Sequence, residues 1–203
     1  AHAEGLYDDE IVPVDGSSLE NGIKGDSTIE KVGKLKPAFI KPHGTHTAAN
    51  SSFLTDGASA TLIMSEEKAL ELGYKPKAYL RAWNYVGVDP FEELLLGPTF
   101  ATAKILKQMN LTLKDIGVIE FHEAFAGQVL SNITALASPK FAQDRLPGGA
   151  AVGQLDMDIT NTLGGSLSLG HPFGATGARI TTTAANRLQR EEKQFALLTA
   201  CAD

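Results

Sequence analysis

From residue 58 onward, apolar and polar positions fall into blocks whose period switches between that of a strand and that of a helix. Residues 58–64 form a short apolar run, the pattern of a buried strand. Ser65 then offers an N-cap, Glu66 and Glu67 put negative charge at the positive end of a first turn, and Gly73 can close the helix. Residues 77–88, dense in aromatic and β-branched side chains, predict a long strand. Pro98 and Thr99 precede a helical pattern running to Met109, with Ala103, Ile105, Leu106 and Met109 apolar. Residues 118–121 predict a short strand. Phe125, Val129, Ile133 and Leu136 then recur at helical spacing until Ser138-Pro139 ends the helix. Residues 144–158 read as loop, 175–192 as a helix with Ala178, Ala184, Ala185 and Leu188 as contacts, and 195–201 as a final strand.

Strands alternating with helices indicate an α/β layered domain. The residues before it differ. Positions 1–44 are glycine-punctuated and charged with few apolar anchors, and predict an irregular arm with one short helix near 28–35. The chain opens without an initiator methionine and stops at the end of a strand-like run, so it reads as a piece cut from a longer protein.

Composition narrows the function classes. A chain of 203 residues, 43% hydrophobic, holds one large domain or a domain with an appendage. The net charge of −6, with no Lys/Arg cluster, argues against a nucleic-acid partner. No run reaches the length of a membrane span. The single cysteine, Cys201, rules out an internal disulfide framework and favours a reducing compartment. Glycosylation triplets at Asn50, Asn110 and Asn132 occur without a signal peptide to support their use.

Candidate chemistry concentrates around His171, in the stretch GGSLSLGHPFGATGAR at 164–179. Glycines and a proline fix the backbone around one imidazole ahead of a helix, which suits a titratable group placed for reaction. The plain alternative is a glycine-rich helix entry with a solvated histidine. His122 lies in HEAF at a strand-to-helix junction, and Cys201 ends the last strand. All three fall at strand ends, where α/β domains carry their sites. Competing motifs fail. His43 and His46 lack further ligands, so no metal site is expected. The glycine spacing fits neither a dinucleotide fingerprint nor a phosphate loop, and Ser166 occupies the first glycine position of a hydrolase nucleophile elbow.

Taken together, GHPFGATGAR, HEAFAGQ, LLTACA and the segment KLKPAF followed by GTHTAANSSFLTDGASA resemble the thiolase family, in that family's order and over nearly the whole chain from about Lys24. HEAF, FIKPHGT and YKPKAYLR look most like the members that work in fatty-acid oxidation complexes. The resemblance implies an α/β thiolase-like βαβαβα layered domain, the family's C-terminal half without its last strand. Residues 1–44 would be the tail of the family's loop region, and 45–203 the truncated C-terminal domain.

It also implies an activity, acyl transfer between an enzyme cysteine and coenzyme A in β-oxidation, an acetyl-CoA C-acyltransferase reaction. His171 would raise the thiolate fraction of the nucleophile and bind the enolate oxygen. Cys201 would be the acid that protonates the enolate and the base for coenzyme A. His122 would take the place of the asparagine that serves the enolate oxyanion hole, while Glu123 would order its loop. Ser52, Ala48 and Phe125 match positions along the pantetheine channel, and Lys24 stands where an arginine approaches the nucleotide. Coenzyme A would be a substrate, and no resident cofactor is expected. Expected partners are acyl-CoA, a second copy in a homodimer or tetramer, and a dehydrogenase/hydratase subunit. The compartment would be mitochondrial in a eukaryote and cytoplasmic in a bacterium. The family's nucleophilic cysteine lies in its N-terminal half, so these residues alone are incomplete for catalysis. A non-catalytic thiolase-like module binding acyl-CoA or a protein is the alternative, and the retained Cys201 counts against it.

Overall fold

A computed structural model describes residues 1–201. The terminal Ala202 of LLTACA, and Asp203 after it, lie outside the described residues. Helices α1 (Ile29–Val32), α2 (Glu66–Glu71), α3 (Gly97–Met109), α4 (Ala126–Ala137), α5 (Pro139–Arg145), α6 (Ser166–Leu169) and α7 (Thr176–Arg190) accompany strands β1 (Val118–Phe121) and β2 (Ala196–Thr199). The strands pair in parallel, Val118 opposite Ala196 and Phe121 opposite Thr199, with α3 and α7 packed against them.

All of β1 is buried, as expected of a parallel strand covered on both faces. Ile119, Phe121 and Leu197 meet Leu106 of α3, Val129 and Leu136 of α4, Ile116 and Leu155 in one core. Glu120 is the exception in that apolar run, and its charge is met from α7. The fully buried Arg187 donates from Nη1 to the Glu120 carboxylate at 2.8 Å and to the Ile119 carbonyl at 3.3 Å, and from Nη2 to the Ile159 carbonyl at 3.1 Å. Its Nε reaches Glu191 at 2.7 Å, which completes the set a buried guanidinium requires. Asn132 does comparable work between helices. Its Oδ1 accepts from the Thr99 backbone at 3.0 Å and hydroxyl at 2.7 Å, locking the start of α3 to α4. That burial also leaves the Asn132 triplet no room for a glycan.

Helix starts follow the sequence closely. Ser65 caps α2 by accepting from the Lys68 amide, and Gly73 follows at φ 77°. Ser138 ends α4 and in turn caps α5, a helix that the loop reading of 144–158 overlapped by its last two residues. The arm at 1–44 includes the short helix α1, capped by Thr28. Its first residues clasp α7: Glu10 accepts from Thr183 at 2.7 Å and Asn186 at 3.0 Å, and the Leu6 carbonyl accepts from Arg190 at 3.0 Å.

Two predicted strands do not form. Residues 58–64 and 77–88 carry no ladder, because β1 and β2 pair with each other and no third strand meets these segments among the described residues. Side chains hold them instead. Thr61 donates to the Ala178 carbonyl at 3.2 Å, Lys77 to Asn186 at 2.7 Å, and Asn84 to the Ala101 carbonyl at 3.1 Å. Most of their large apolar side chains stay in water, with Trp83 66% and Tyr85 87% exposed, while Met64, Val86 and Val88 are half-buried. Among the described residues no helix is long and apolar enough to cross a membrane.

Candidate active site

The parallel register carries two of the three candidate groups to one edge of the sheet. Phe121 lies opposite Thr199, so His122 and the segment Ala200-Cys201 leave the C-terminal ends of adjacent strands. The His122 amide extends the ladder by donating to the Thr199 carbonyl at 2.9 Å. Ligands of α/β domains bind at such ends.

His171 does not follow a strand as the sequence suggested, but comes after α6 on the glycine-rich turn. Gly170 holds φ at 91°, and a Cβ there would run into the Thr55 side chain, so only glycine fits the turn. The Thr55 hydroxyl accepts from the His171 amide at 3.1 Å, and Leu54 bridges His171 in parallel. The segment 50–55 is thus a strap. It also bridges Ser51 to Phe125 and takes an amide from Ala126 on the Asn50 carbonyl at 2.9 Å. The result is a pair of imidazoles with ring centroids 4.1 Å apart, tilted by 37°. Thr176 at the start of α7 meets His171 Nδ1 at 2.7 Å. Phe173, a non-glycine residue at φ 40°, lays its ring 4.9 Å from His171 on the solvent side. A side chain forced into that left-handed conformation at a site is a form of stored strain.

The histidines differ in environment. His122 is only 2% exposed, and its pKa falls from 6.5 to about 4 because burial disfavours the cation, with His171 and the Arg179 guanidinium adding to the effect. It is therefore a neutral imidazole at neutral pH. Its Nδ1 pairs with the Ser166 hydroxyl at 2.8 Å, and Arg179 Nη2 donates to that same hydroxyl at 3.3 Å. Glu123 accepts from the Asn161 side chain at 2.7 Å and the Leu167 amide at 3.1 Å, tying the HEAF turn to the glycine-rich loop. A Cβ on Gly165 would collide with that carboxylate. Asn161 also exchanges hydrogen bonds with the Phe121 backbone, at 2.8 Å and 2.7 Å, acting as a one-residue continuation of the sheet.

The remaining candidates are more scattered. Phe125 is half-buried and packs edge-on against His46, with ring centroids 5.2 Å apart. Ser52 is half-buried, its amide donating to the Ala124 carbonyl at 2.9 Å, so both line the strap beside the HEAF turn. Ala48 is exposed just before that strap. Lys24 is exposed on the arm. Cys201 is half-buried. Ser166, Arg179 and Asn161 were not singled out from the sequence as site residues. The only signal for Ser166 and Arg179 is their place within the same glycine-rich stretch.

A pair of imidazoles, one at the end of a parallel strand and one on a glycine-rich turn, outlines a candidate site, and the comparisons with known proteins give it a family. The family model described as "Thiolase, C-terminal domain" matches residues 74–203, and "Thiolase, N-terminal domain" matches residues 1–67. The chain belongs to the thiolase family. It is 57% identical over its whole length to the mitochondrial trifunctional enzyme subunit beta of Bos taurus, and covers 43% of that protein. A probable 3-ketoacyl-CoA thiolase of Caenorhabditis elegans is 56% identical over 90% of the chain and 41% of that protein. The chain therefore spans less than half the length of these relatives. Among solved structures, human mitochondrial 3-ketoacyl-CoA thiolase in complex with CoA superposes with a TM-score of 0.82 at 32% identity, over 99% of this chain and 47% of that one. The layered α/β fold expected from the sequence is thus the thiolase fold.

Proposed function

We propose that these residues form part of a 3-ketoacyl-CoA thiolase of fatty-acid oxidation, contributing the acid–base and oxyanion half of its active site. The observation that carries the reading is the His122–His171 pair, 4.1 Å apart, with His122 leaving β1 beside the strand that leads into Cys201.

The reaction divides into two transfers. A cysteine thiolate attacks the ketone carbon of the 3-ketoacyl-CoA. The bond between the α and β carbons then breaks, its electron pair passing into the enolate of acetyl-CoA. Cys201 protonates that enolate carbon. The Cys201 thiolate next removes the thiol proton of an incoming coenzyme A, whose sulfur takes the acyl group and frees the enzyme thiolate. His171 promotes the attacking thiolate and donates to the enolate oxygen, while neutral His122 serves the same oxyanion. A neutral donor suits this task because its proton is not lost to the anion. With one cysteine among its 203 residues, the chain supplies one of the two thiols that this scheme uses.

Ser52, Ala48 and Phe125 would border the pantetheine arm, and Lys24 would approach the nucleotide. Coenzyme A serves as a substrate, with no resident cofactor in any step. Assembly as a homodimer or tetramer, with a dehydrogenase/hydratase subunit and a mitochondrial address in a eukaryotic source, belongs to the same proposal. The test is thiolysis of a 3-ketoacyl-CoA by the full-length protein, with His171→Ala alongside. Loss of turnover in the variant supports the reading. A full-length protein that binds acyl-CoA without cleaving it would make this a binding module instead.

A further inference from the structure

We propose that Ser166 and Arg179 are positioning residues, a relay that holds His122 in the neutral tautomer protonated on Nε2. The inference rests on the thiolase reading only for its consequence in turnover, since the relay itself is a matter of hydrogen-bond bookkeeping.

Three facts set it. The Ser166 hydroxyl is fully buried. Arg179 Nη2 reaches it at 3.3 Å, and a guanidinium can only donate, so one oxygen lone pair is taken. His122 Nδ1 lies 2.8 Å from the same oxygen. A serine hydroxyl has one proton to give. If it donates that proton to Nδ1, each partner in the chain Arg179 → Ser166 → His122 is satisfied, and the ring proton sits on Nε2. If Nδ1 carried the proton instead, the hydroxyl would accept twice. Its own hydrogen would then need a third partner, and the hydrogen bonds of Ser166 among the described residues provide none. A doubly protonated ring fails for the same reason and would also face the Arg179 cation. The relay therefore selects neutral, Nε2-protonated His122.

The consequence is directional. His122 presents a donor from the ring edge opposite Ser166, which is the polarity an enolate oxygen requires. The other tautomer would present a lone pair and repel that oxygen. Ser166 and Arg179 come from α6 and α7, on either side of the turn that carries His171, so one glycine-rich segment sets both imidazoles.

The experiment uses the full-length protein with 15N-labelled histidine. Solid-state NMR reads the tautomer of His122, assigned by loss of its signals in His122→Asn. The wild type is expected to show an unprotonated Nδ1 and a protonated Nε2. Ser166→Ala should give a mixture, with kcat reduced by roughly tenfold or more and KM little changed, in the range seen when an orienting partner of a histidine is removed. Ser166→Thr should restore both readouts. A wild-type ring protonated on Nδ1 overturns the relay, as does a Ser166→Ala protein whose tautomer is unchanged. A full-length protein with the expected tautomers and no thiolysis supports the relay while defeating the thiolase reading, so the two failures are distinguishable.

Discussion

Acid should remove stability from this fold through His122, and the size of the effect follows from its burial. In the folded chain the imidazole gives up its proton at about pH 4 instead of 6.5, chiefly through burial and secondarily through His171 and Arg179. Between those values the unfolded chain binds more protons than the folded one, so stability rises with pH. The contribution is complete above about pH 6.5 and is lost as the pH falls toward 4. At 1.36 kcal/mol per tenfold change in proton affinity, the whole difference is about 3 kcal/mol, of which about 2 kcal/mol has gone by pH 5. That is a large share of the ordinary stability of a domain. The perturbation is His122→Asn, which cannot titrate but keeps polar atoms near Ser166. The assay is urea unfolding of full-length wild type and variant at about pH 7.5 and about pH 5, at one protein concentration. The wild type should lose about 2 kcal/mol more than the variant between those conditions. Equal losses in both proteins would show that the fold does not hold His122 neutral, and the argument from burial would fail.

Other substitutions probe the remaining groups. His171→Ala in the full-length protein should cut thiolysis by about 10²–10³-fold while coenzyme A binding, measured by calorimetry, changes little. Cys201→Ala should still be acylated by a reactive acyl donor yet lose deuterium exchange at the α carbon of acetyl-CoA, and persisting exchange would make Cys201 structural. Arg187→Met should destabilise by about 3–5 kcal/mol in urea unfolding, because it strands the Glu120 carboxylate in the core. Adding Glu120→Gln to that variant should recover part of the loss, and a double variant no better than the single one would count against the ion pair as the cause.

The elements that sequence patterning located share a local physical origin. Ser65 and Thr28 each cap a helix within a few residues of themselves, so the hydroxyl and the amide that it serves are legible together, whereas α5, capped by Ser138, went unread because Ser138-Pro139 marked only the end of α4. The apolar spacing of 125–136 likewise reports one face of α4. Residues 58–64 and 77–88 failed as strands for the opposite reason. Their aromatic and β-branched content expresses a preference, but a ladder exists only where a second strand supplies donors and acceptors. Trp83 and Tyr85, which would anchor a buried strand, are exposed instead.

The site divides along the same line. His122, His171 and Cys201 could be picked out because each stands in a recognisable local frame: a strand-to-helix junction, a glycine-rich turn, a strand end. What makes them act together could not. The two imidazoles stand 4.1 Å apart beside the strap at 50–55, which is far from both in sequence and ties the His171 turn, through the Thr55 hydroxyl, to the start of α4 after His122, through the Asn50 carbonyl. The neutral state of His122 depends chiefly on its burial, and burial is not a property of a motif. Ser166 illustrates the point. Along the chain it was evidence only against a hydrolase elbow, since a glycine was wanted there. In the fold, that same hydroxyl stands between a guanidinium and an imidazole, 44 residues from the ring it orients. A small polar residue that spoils one motif can thus be the contact on which another site turns, and it is the partner across the core, not the neighbour in sequence, that decides which.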